Sequence, residues 1–402
     1  MVQLTSTCHC KDFTHSFSIP EDIELPLNET TCSCDACRYR TGQISFLSLS
    51  AKVTQSFPPL NVLDKLKRYD QKCGFVIDQE ELKGKQDQSD SDGLNKYSQN
   101  STCGGTIITS FFCGKCGTKV YLQVASLGGE VEIGMWTLGA LNDILVDNEP
   151  IVKLTGHHFL EDTVDGGISN IWTTFEGEKL KKHHDGSKEW SPSKNISMNT
   201  ENYLHLHCKC GSFDAYVRRP QPSLPLPEGC YWYQHPFNDQ GIPQRYMASF
   251  CACDSCRHIT GSSLPAHPWV QIPFIDILSS PSTNSKSYFP SPMTTETELP
   301  GLTLYHSSPN NINTARYHCS TCGASILYFD SKRDFICTLP VGLNDSHNGV
   351  MNISWFSWWT GEEGHPIPPI NAKDDGKKRW GKVIDEFEKG LIQWGRNIGQ
   401  RQ

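Results

Sequence analysis

Residues 32–42 read Cys-Ser-Cys-Asp-Ala-Cys-Arg-Tyr-Arg-Thr-Gly, and residues 251–261 repeat them as Cys-Ala-Cys-Asp-Ser-Cys-Arg-His-Ile-Thr-Gly. Both stretches follow the pattern C-x-C-D-x-C-R-x-x-T-G. Three thiols within six residues converge on one point only if the backbone turns tightly around them. Three converging thiolates make a soft metal site that leaves one coordination position open. We expect the chemistry of the protein at that position.

Two further cysteine pairs flank each of these stretches, a C-x-C pair before it and a C-x-x-C-G turn after it. The C-x-x-C-G turn is typical of a zinc knuckle, in which glycine accepts a positive φ after the second ligand. The flanking pairs are Cys8 and Cys10 with Cys113 and Cys116 in the first repeat, and Cys208 and Cys210 with Cys319 and Cys322 in the second. The chain therefore contains two copies of one unit, whose loops differ in length.

Seven motif cysteines in each repeat divide into four and three. A closed structural zinc site needs four ligands, and a reactive zinc site needs three and an open position. The spacing leaves the pairing open, and the economical assignment joins the first pair to the last pair. That assignment gives two four-cysteine sites from the flanking pairs. The two three-cysteine sites are then Cys32, Cys34 and Cys37, and Cys251, Cys253 and Cys256. We expect about four Zn²⁺ per chain.

Composition and charge limit the classes of protein that fit. The chain has 402 residues, 18 cysteines and a net charge of −8, without a clustered basic stretch, which argues against nucleic-acid binding. No apolar run approaches the length of a membrane span, and no basic and apolar leader follows Met1, so we expect a cytoplasmic protein without a membrane partner. Reduced thiols then favour metal sites over disulfides, and the spacings differ from those of iron–sulfur proteins.

Polarity patterns predict strands and one helix. Thr14–Ile19 and Ile44–Ser50 alternate in polarity, and three later stretches are also predicted strands. These later stretches are Ile107–Phe112, Val120–Val124 and Val131–Leu138. Downstream of Gly376, apolar residues from Trp380 to Trp394 fall at helical spacing. They predict an amphipathic helix of about five turns that packs on the second repeat or at the seam between repeats; a partner-binding helix is the alternative.

The repeat predicts two domains, residues 1–186 and residues 203–402, joined by a polar seam over 185–202. Three segments look like additions to the repeated unit. These are a polar insertion at 84–100, a proline-rich stretch at 220–227 and a Ser/Pro/Thr-rich stretch at 279–300. The turn Gly342–Asp345 reads like 140–143, so we align these two turns.

At these motifs the chain resembles the glutathione-dependent formaldehyde-activating enzyme family, which includes centromere protein V. Both repeats fit the pattern, so the resemblance covers most of the chain as a tandem pair. It implies a mainly β fold of small antiparallel sheets, a structural zinc on the paired C-x-C and C-x-x-C motifs, and a catalytic zinc on the three-cysteine motif. It also implies addition of glutathione to formaldehyde, or the reverse reaction, with glutathione as co-substrate.

The repeats depart from the family pattern in different ways. Ser110 stands where the family places an arginine, whereas the second repeat keeps Arg316. Only the first repeat has a histidine segment like that of the family, at His157 and His158. We therefore predict these two histidines for proton transfer, with His258 a weaker choice in the second repeat. A hydrogen-bonded structural histidine is the alternative for each.

Three functions follow as hypotheses. The first is a zinc-dependent carbon–sulfur lyase that acts on a glutathione–aldehyde adduct or a related small thiol or carbonyl substrate. The second is a non-catalytic tandem zinc-binding interaction module, in which a histidine completes each three-cysteine site. The third is a redox or zinc-buffering role of exposed thiolates. Asp35 and Asp254 lie between ligands and are expected to cap backbone amides. The sequence leaves the oligomeric state open.

Overall fold

The computed structural model describes residues 2–51, 57–73, 76–77, 97–98, 106–126, 131–184, 188–191, 202–220, 245–278, 286–307, 313–345, 347–361 and 368–398. Strands account for 40% of the structure and helices for 21%, which confirms a mainly β fold. Most of the predicted insertion at 84–100, of the proline-rich stretch at 220–227 and of the seam lies outside the described residues, as do part of the Ser/Pro/Thr-rich stretch, Cys103 and Cys230. Within the insertion, residues 97–98 are described, as a strand.

The described elements of residues 1–186, called the first half, are short strands with two α-helices. The strands are β1 (Val2–Thr7), β2 (Thr14–Ile19), β3 (Leu27–Cys32), β4 (Ser48–Ser50), β5 (Lys67–Cys73), β6 (Val76–Ile77), β7 (Tyr97–Ser98), β8 (Thr106–Phe112), β9 (Lys119–Ser126), β10 (Val131–Thr137), β11 (Leu145–Val146), β12 (Glu149–Pro150), β13 (Val152–His158), β14 (Thr174–Phe175), β15 (Glu178–Lys179) and β16 (Lys181–Lys182). The α-helices are α1 (Asp35–Thr41) and α2 (Leu60–Leu63), and 3₁₀ turns include Leu138–Ala140.

The elements of residues 203–402, called the second half, follow the same plan and end in helices. The strands are β17 (Tyr203–His207), β18 (Asp214–Arg218), β19 (Tyr246–Cys251), β20 (Ala266–Gln271), β21 (Ile275–Leu278), β22 (Lys286–Tyr288), β23 (Leu302–Tyr305), β24 (Thr314–Cys319), β25 (Ser325–Asp330), β26 (Ile336–Thr338), β27 (Phe356–Trp358) and β28 (Ile370–Asn371). The α-helices are α3 (Asp254–Thr260), α4 (Lys373–Trp380) and α5 (Val383–Asn397), and 3₁₀ turns include Val341–Leu343.

Strand order shows the repeat in three dimensions. The first half has an antiparallel sheet in the order β4-β10-β9-β8-β5, and the second half has the corresponding run β20-β26-β25-β24-β23 within a larger sheet. The hairpin β1-β2 corresponds to β17-β18. Strand β3 lies parallel to β13, as β19 lies parallel to β27. Each cysteine motif therefore occupies the same place in its half.

The strand predictions agree with the structure except at one place. The predicted strands near β2, β8, β9 and β10 are confirmed within one or two residues. Of the predicted strand Ile44–Ser50, only Ser48–Ser50 pairs continuously, against β10. Phe46 instead forms an isolated bridge with Cys32. The alternating side chains are buried there, but the backbone turns from one partner to another.

The turns aligned from the sequence correspond with a shift of one residue. The amide of Asn142 donates a 2.9 Å hydrogen bond to the carbonyl of Thr5. The amide of Asp345 donates a 3.0 Å hydrogen bond to the carbonyl of His205. Asn142 is thus the structural counterpart of Asp345, and Gly139 that of Gly342. The sequence alignment was wrong here because both turns contain Leu-Asn-Asp, and the backbone pairing decides the register.

The two halves exchange contacts reciprocally. Helix α1 ends at Gly42, whose carbonyl accepts a 3.1 Å hydrogen bond from the amide of Gly342. Helix α3 ends at Gly261, whose carbonyl accepts a 3.1 Å hydrogen bond from Gly139. A Cβ on Gly342 would lie 2.2 Å from the Gln43 carbonyl, and a Cβ on Gly139 would lie 2.3 Å from the carbonyl carbon of Gly261. The close approach of backbones therefore requires glycine in both turns.

The core runs through both halves. Buried apolar side chains of the two halves form one cluster. Lys119 of the first half is buried, and its Nζ atom donates a 3.2 Å hydrogen bond to the carbonyl of Cys322. Burial lowers the pKa of Lys119 to about 8. The division into two domains at 1–186 and 203–402 stays a prediction. An isolated half would expose to solvent the surfaces that make these contacts.

The predicted C-terminal helix is broken into two. Trp380 ends α4, Gly381 adopts a φ of 54°, and α5 then runs for 15 residues. Phe387 of α5 is fully buried and meets Trp172 of the first half at 5.4 Å and Phe250 of the second half at 5.1 Å between ring centroids. The helix was predicted to pack on the second repeat or between the repeats, and α5 contacts both halves. In the described residues, every helix is too short or too polar to cross a membrane.

Candidate metal centres

The structure brings together the four cysteines predicted for each closed site. Cys8, Cys10, Cys113 and Cys116 form one group, and Cys208, Cys210, Cys319 and Cys322 form the other, with all sulfurs of a group within 4.8 Å of one another. The Sγ atoms of Cys10 and Cys113 are 3.5 Å apart, and those of Cys210 and Cys319 are 3.4 Å apart. A disulfide bond is about 2.05 Å long, whereas thiolates on one tetrahedral zinc lie about 3.8 Å apart. The spacing of the sulfurs is therefore compatible with metal binding.

Two turns from distant parts of the chain build each four-cysteine site. The first turn follows β1 or β17, and its residue after the second cysteine has a positive φ, 64° at Lys11 and 75° at Gly211. The second turn joins β8 to β9 or β24 to β25, and Gly117 and Gly323 have φ values of 77° and 70°. The knuckle predicted from C-x-x-C-G is thus present in both halves, and a non-glycine residue makes the same turn at Lys11.

The three-cysteine sites lie at the beginning of a helix. Cys34 is the N-cap of α1, and its sulfur accepts a hydrogen bond from the amide of Cys37 at 3.4 Å. Cys253 caps α3 in the same way, at 3.3 Å from the amide of Cys256. The positive end of a helix favours thiolate at such a position. Cys32, Cys34 and Cys37 form one group of converging sulfurs, and Cys251, Cys253 and Cys256 form the other.

The two aspartates between the ligands do not cap the helices. Asp35 pairs with Arg38, and Asp254 pairs with Arg257 at 2.6 Å, each three residues further along the helix. The expectation of an amide cap was wrong because a cysteine occupies the N-cap position. In the first half the amide of Asp35 instead donates to Asp162, at 2.9 Å. Burial raises the pKa of Asp162 to about 6.

Crowding of the thiols separates their pKa values. Hydrogen bonds from Cys32 and Cys37 hold the pKa of Cys34 well below its usual value, and hydrogen bonds from Cys251 and Cys253 do the same for Cys256. Hydrogen bonding to Cys34 and burial raise the pKa of Cys32. Several neighbouring thiols cannot all ionise to thiolates without a positive charge beside them. A divalent cation supplies that charge, so the donor set fits Zn²⁺.

An arginine accompanies each three-cysteine site, but from a different position in each half; Arg40 is buried and Arg316 is half-buried. In the second half, Arg316 of β24 places its Nη2 atom 3.6 Å from the sulfur of Cys256. The corresponding residue in the first half is Ser110, and there Arg40 of α1 lowers the pKa of Cys34 after the larger effect of the neighbouring thiols. Three thiolates and one zinc carry a net charge of about −1, which one arginine balances. The first half thus replaces the missing arginine from its own helix.

The second three-cysteine site has an imidazole beside it. His267 of β20 adjoins Cys256 and contributes to lowering its pKa, after the thiols and Arg316. Both ring nitrogens are buried, and neither has a nitrogen or oxygen partner among the described residues. The pairing of β20 with β19 places Ser48 at this position in the first half. The second three-cysteine site therefore has a histidine beside Cys256 that the first site lacks.

A histidine from the first half also reaches the second site. The Nε2 atom of His9 lies 3.1 Å from the hydroxyl of Ser255, and its Nδ1 atom lies 2.8 Å from the hydroxyl of Tyr305. Ser255 also accepts a hydrogen bond from Arg316 at 3.3 Å. Residues of both halves therefore surround the second three-cysteine site.

The histidines predicted for proton transfer occupy internal positions. His157 is buried, with Nδ1 2.7 Å from the Thr31 hydroxyl and Nε2 2.7 Å from the Trp172 carbonyl. Burial lowers its pKa to about 4. His158 lies opposite Cys32 in the strand register, and its ring meets that of His183 at 4.8 Å. Hydrogen bonds to both nitrogens are the geometry of a structural histidine at His157.

His258 is likewise engaged. Its Nδ1 atom lies 3.0 Å from the carbonyl of Asp254, and burial followed by the charge of Arg257 lowers its pKa to about 3. Roles for Arg40, His267 and His9 beside the three-cysteine sites were not predicted from the sequence. Arg40 lies within the first three-cysteine motif and His9 lies between Cys8 and Cys10, so their positions in the sequence could have indicated a place near the metal sites. His267 lies eleven residues beyond the third cysteine, and only the pairing of β19 with β20 brings it back to the site.

Comparisons of the chain with protein-family models, with curated proteins and with solved structures gave no match. The resemblance to the formaldehyde-activating enzymes therefore rests on the motifs of the sequence. The geometry adds that the cysteines of these motifs converge on four sites compatible with metal binding.

Proposed function

We propose that the protein is a zinc-dependent carbon–sulfur lyase-like enzyme that acts on glutathione–aldehyde adducts or a related small carbonyl substrate. We assign the reaction to the second three-cysteine site, formed by Cys251, Cys253 and Cys256. The observation that carries this assignment is the His267 imidazole, whose buried ring nitrogens adjoin Cys256 and have no nitrogen or oxygen partner among the described residues. An imidazole whose described neighbour is a cysteine sulfur is placed to take up and return a proton beside that sulfur.

The donor set favours this chemistry over hydrolysis. A zinc ion on three thiolates is a weaker activator of water than one on three imidazoles, and it is suited to binding sulfur or polarising a carbonyl group. His267 would accept the proton of the attacking thiol while the new carbon–sulfur bond forms. It would return that proton to the carbonyl oxygen, so the addition is balanced without a further reactant. Arg316 would hold the charge that develops on the oxygen.

The first three-cysteine site has a different environment. Ser48 occupies the position of His267, and the ionisable neighbours of the site include Arg40 and Asp162. We therefore expect Cys32, Cys34 and Cys37 to hold a zinc ion with lower activity or none. This preference for the second half reverses the expectation based on His157 and His158.

A second candidate function is a non-catalytic tandem zinc-binding module. The observation that favours it is the reciprocal packing of α1 and α3 into the opposite half. In this case His267 would be the fourth ligand of a closed zinc site, and both three-cysteine sites would stabilise the contact between the halves.

The direct test is formation of S-hydroxymethylglutathione from glutathione and formaldehyde, followed by NMR exchange spectroscopy. We expect zinc-loaded protein to accelerate the exchange, Cys253→Ser to abolish the acceleration, and the matched variant Cys34→Ser to keep most of it. Exchange at the uncatalysed rate with the zinc-loaded protein would overturn the formaldehyde reaction. An equal loss in both variants would overturn the assignment to the second site.

A further inference from the structure

A group of metal-ligating side chains lies outside the cysteine sites. His205 and His207 are alternate residues of β17, so they share one face of the strand. Asp345 reaches the same point from the turn after Val341–Leu343, whose backbone pairs with β17. The ligand atoms of the three side chains lie within 4.8 Å of one another. Two imidazoles and one carboxylate are a common set for a transition-metal ion.

The spacing of these atoms fits the ligands of one metal ion. The Oδ2 atom of Asp345 lies 3.4 Å from Nδ1 of His205 and 3.7 Å from Nε2 of His207. Ligands about 2.0–2.1 Å from one tetrahedral ion lie about 3.3–3.5 Å apart. The contact between His205 and Asp214, at 2.7 Å, shows an ordinary hydrogen bond beside the group.

Outer hydrogen bonds direct both imidazole lone pairs into the group. Nε2 of His205 donates to the carboxylate of Asp214, which leaves Nδ1 as the acceptor nitrogen facing Asp345. Nδ1 of His207 donates to the carbonyl of Cys208 at 3.3 Å, which leaves Nε2 facing Asp345. Carboxylates and carbonyls fix metal-bound histidines in this way. The two tautomers therefore complement a cation at one point.

Aromatic rings hold the ligands in place. The ring of Tyr39 stacks on His207 at 4.1 Å, and its hydroxyl donates to Oδ1 of Asp345 at 3.4 Å. The ring of Tyr216 stacks on His205 at 4.7 Å. A cavity of about 440 Å³ adjoins the group and includes Tyr203 and His347 in its lining. The remaining coordination positions of an ion would open into this cavity.

We propose that His205, His207 and Asp345 bind a divalent first-row transition-metal ion, separate from the zinc ions of the cysteine sites. The group contains no thiolate, so it favours a borderline cation held by nitrogen and oxygen. The first half lacks the site, because Thr5, Thr7 and Asn142 occupy the corresponding positions. One such ion is bound per chain, whatever reaction the cysteine sites perform.

The test is a titration of the full-length protein with Co²⁺ after its cysteine sites are loaded with zinc. We expect one further equivalent of Co²⁺, with visible d–d absorption and without a thiolate-to-cobalt charge-transfer band. His207→Ala and Asp345→Asn should lose this equivalent. Asp214→Asn should bind it roughly 10–100-fold more weakly. The matched control Asp143→Asn, an exposed carboxylate beside the corresponding turn of the first half, should bind like the wild type.

Three results would overturn the proposal. They are the absence of a further equivalent in the wild type, an unchanged equivalent in His207→Ala, and a charge-transfer band that shows displacement of zinc from thiolates. Melting temperatures of the zinc-loaded variants without Co²⁺ distinguish a lost site from a lost fold. Under this proposal, Co²⁺ raises the melting temperature of the wild type and not that of Asp345→Asn.

Discussion

The Nη1 atom of Arg257 lies 2.9 Å from the carbonyl oxygen of Leu141, so a helix of the second half is bound to a turn of the first. The same atom donates to the carbonyl of Gly139, also at 2.9 Å. Arg38 of α1 makes the reciprocal contacts, at 3.3 Å to the carbonyls of Gly342 and Asn344. Each three-cysteine motif therefore carries, one residue after its last cysteine, the arginine that joins the halves.

Arg257→Ala should lower the free energy of unfolding by about 2 kcal/mol, because it leaves the buried carbonyl of Gly139 without this donor. Arg379 also donates to the carbonyl of Leu141, which limits the loss. Urea denaturation measures the change, and Arg68→Ala, an exposed arginine paired with Asp70, is the control with a change below about 0.5 kcal/mol. Equal stability of the two variants would contradict a structural role of Arg257.

His267→Ala separates the two proposed functions. If His267 transfers protons, the variant keeps its zinc and loses the acceleration of glutathione–formaldehyde exchange, by roughly 10²–10⁴-fold. Elemental analysis and the exchange rate are measured on the same sample, with His306→Gln, a partly exposed histidine, as the control. Loss of one zinc ion from His267→Ala would show that His267 is a ligand and would favour the interaction module.

The cysteine sites were predictable because their ligands are close in sequence or occur in repeated turns. Three thiols within six residues define a site before the fold is known, and C-x-x-C-G carries its own turn. Alternation of polarity likewise located β2 and β8–β10. The surroundings of the sites were not predictable, because they depend on pairing between distant strands. His267 reaches Cys256 through the pairing of β19 with β20. In the first half, position 110 is a serine, and Arg40 takes the place of the arginine that the second half has at position 316.

Glu29→Gln should make stability less dependent on pH. Glu29 is buried, and burial raises its pKa from 4.5 to about 7, although the amide of Ser50 donates to it at 3.0 Å. The folded protein therefore binds a proton that the unfolded chain has released, so stability falls as pH rises from about 4.5 to about 7. The variant should gain up to about 3 kcal/mol over the wild type at pH values above about 7. Denaturation from about pH 6 to about pH 8 measures the gain, and parallel pH profiles of the two proteins would contradict it.

Phe387→Ala should destabilise the whole chain, because the ring of Phe387 packs between Trp172 of the first half and Phe250 of the second half. Truncation of a fully buried phenylalanine costs about 3–5 kcal/mol. Thermal denaturation should show one cooperative transition at a lower temperature, and Lys389→Ala on the exposed face of α5 should leave it unchanged. A normal melting temperature in Phe387→Ala would contradict the packing of α5 against both halves.

The zinc content of the cysteine sites tests the account most directly. It is measured by elemental analysis in a His207→Ala background, so that only thiolate sites are counted. We predict about four zinc ions per chain, and about two in the folded double variant Cys34→Ser/Cys253→Ser. Cys10→Ser and Cys322→Ser should instead be strongly destabilised, because their sites join distant turns and zinc binding there contributes to folding. Iron in place of zinc, fewer than two zinc ions in folded protein, or equal destabilisation by all four single substitutions would contradict two closed and two open zinc sites.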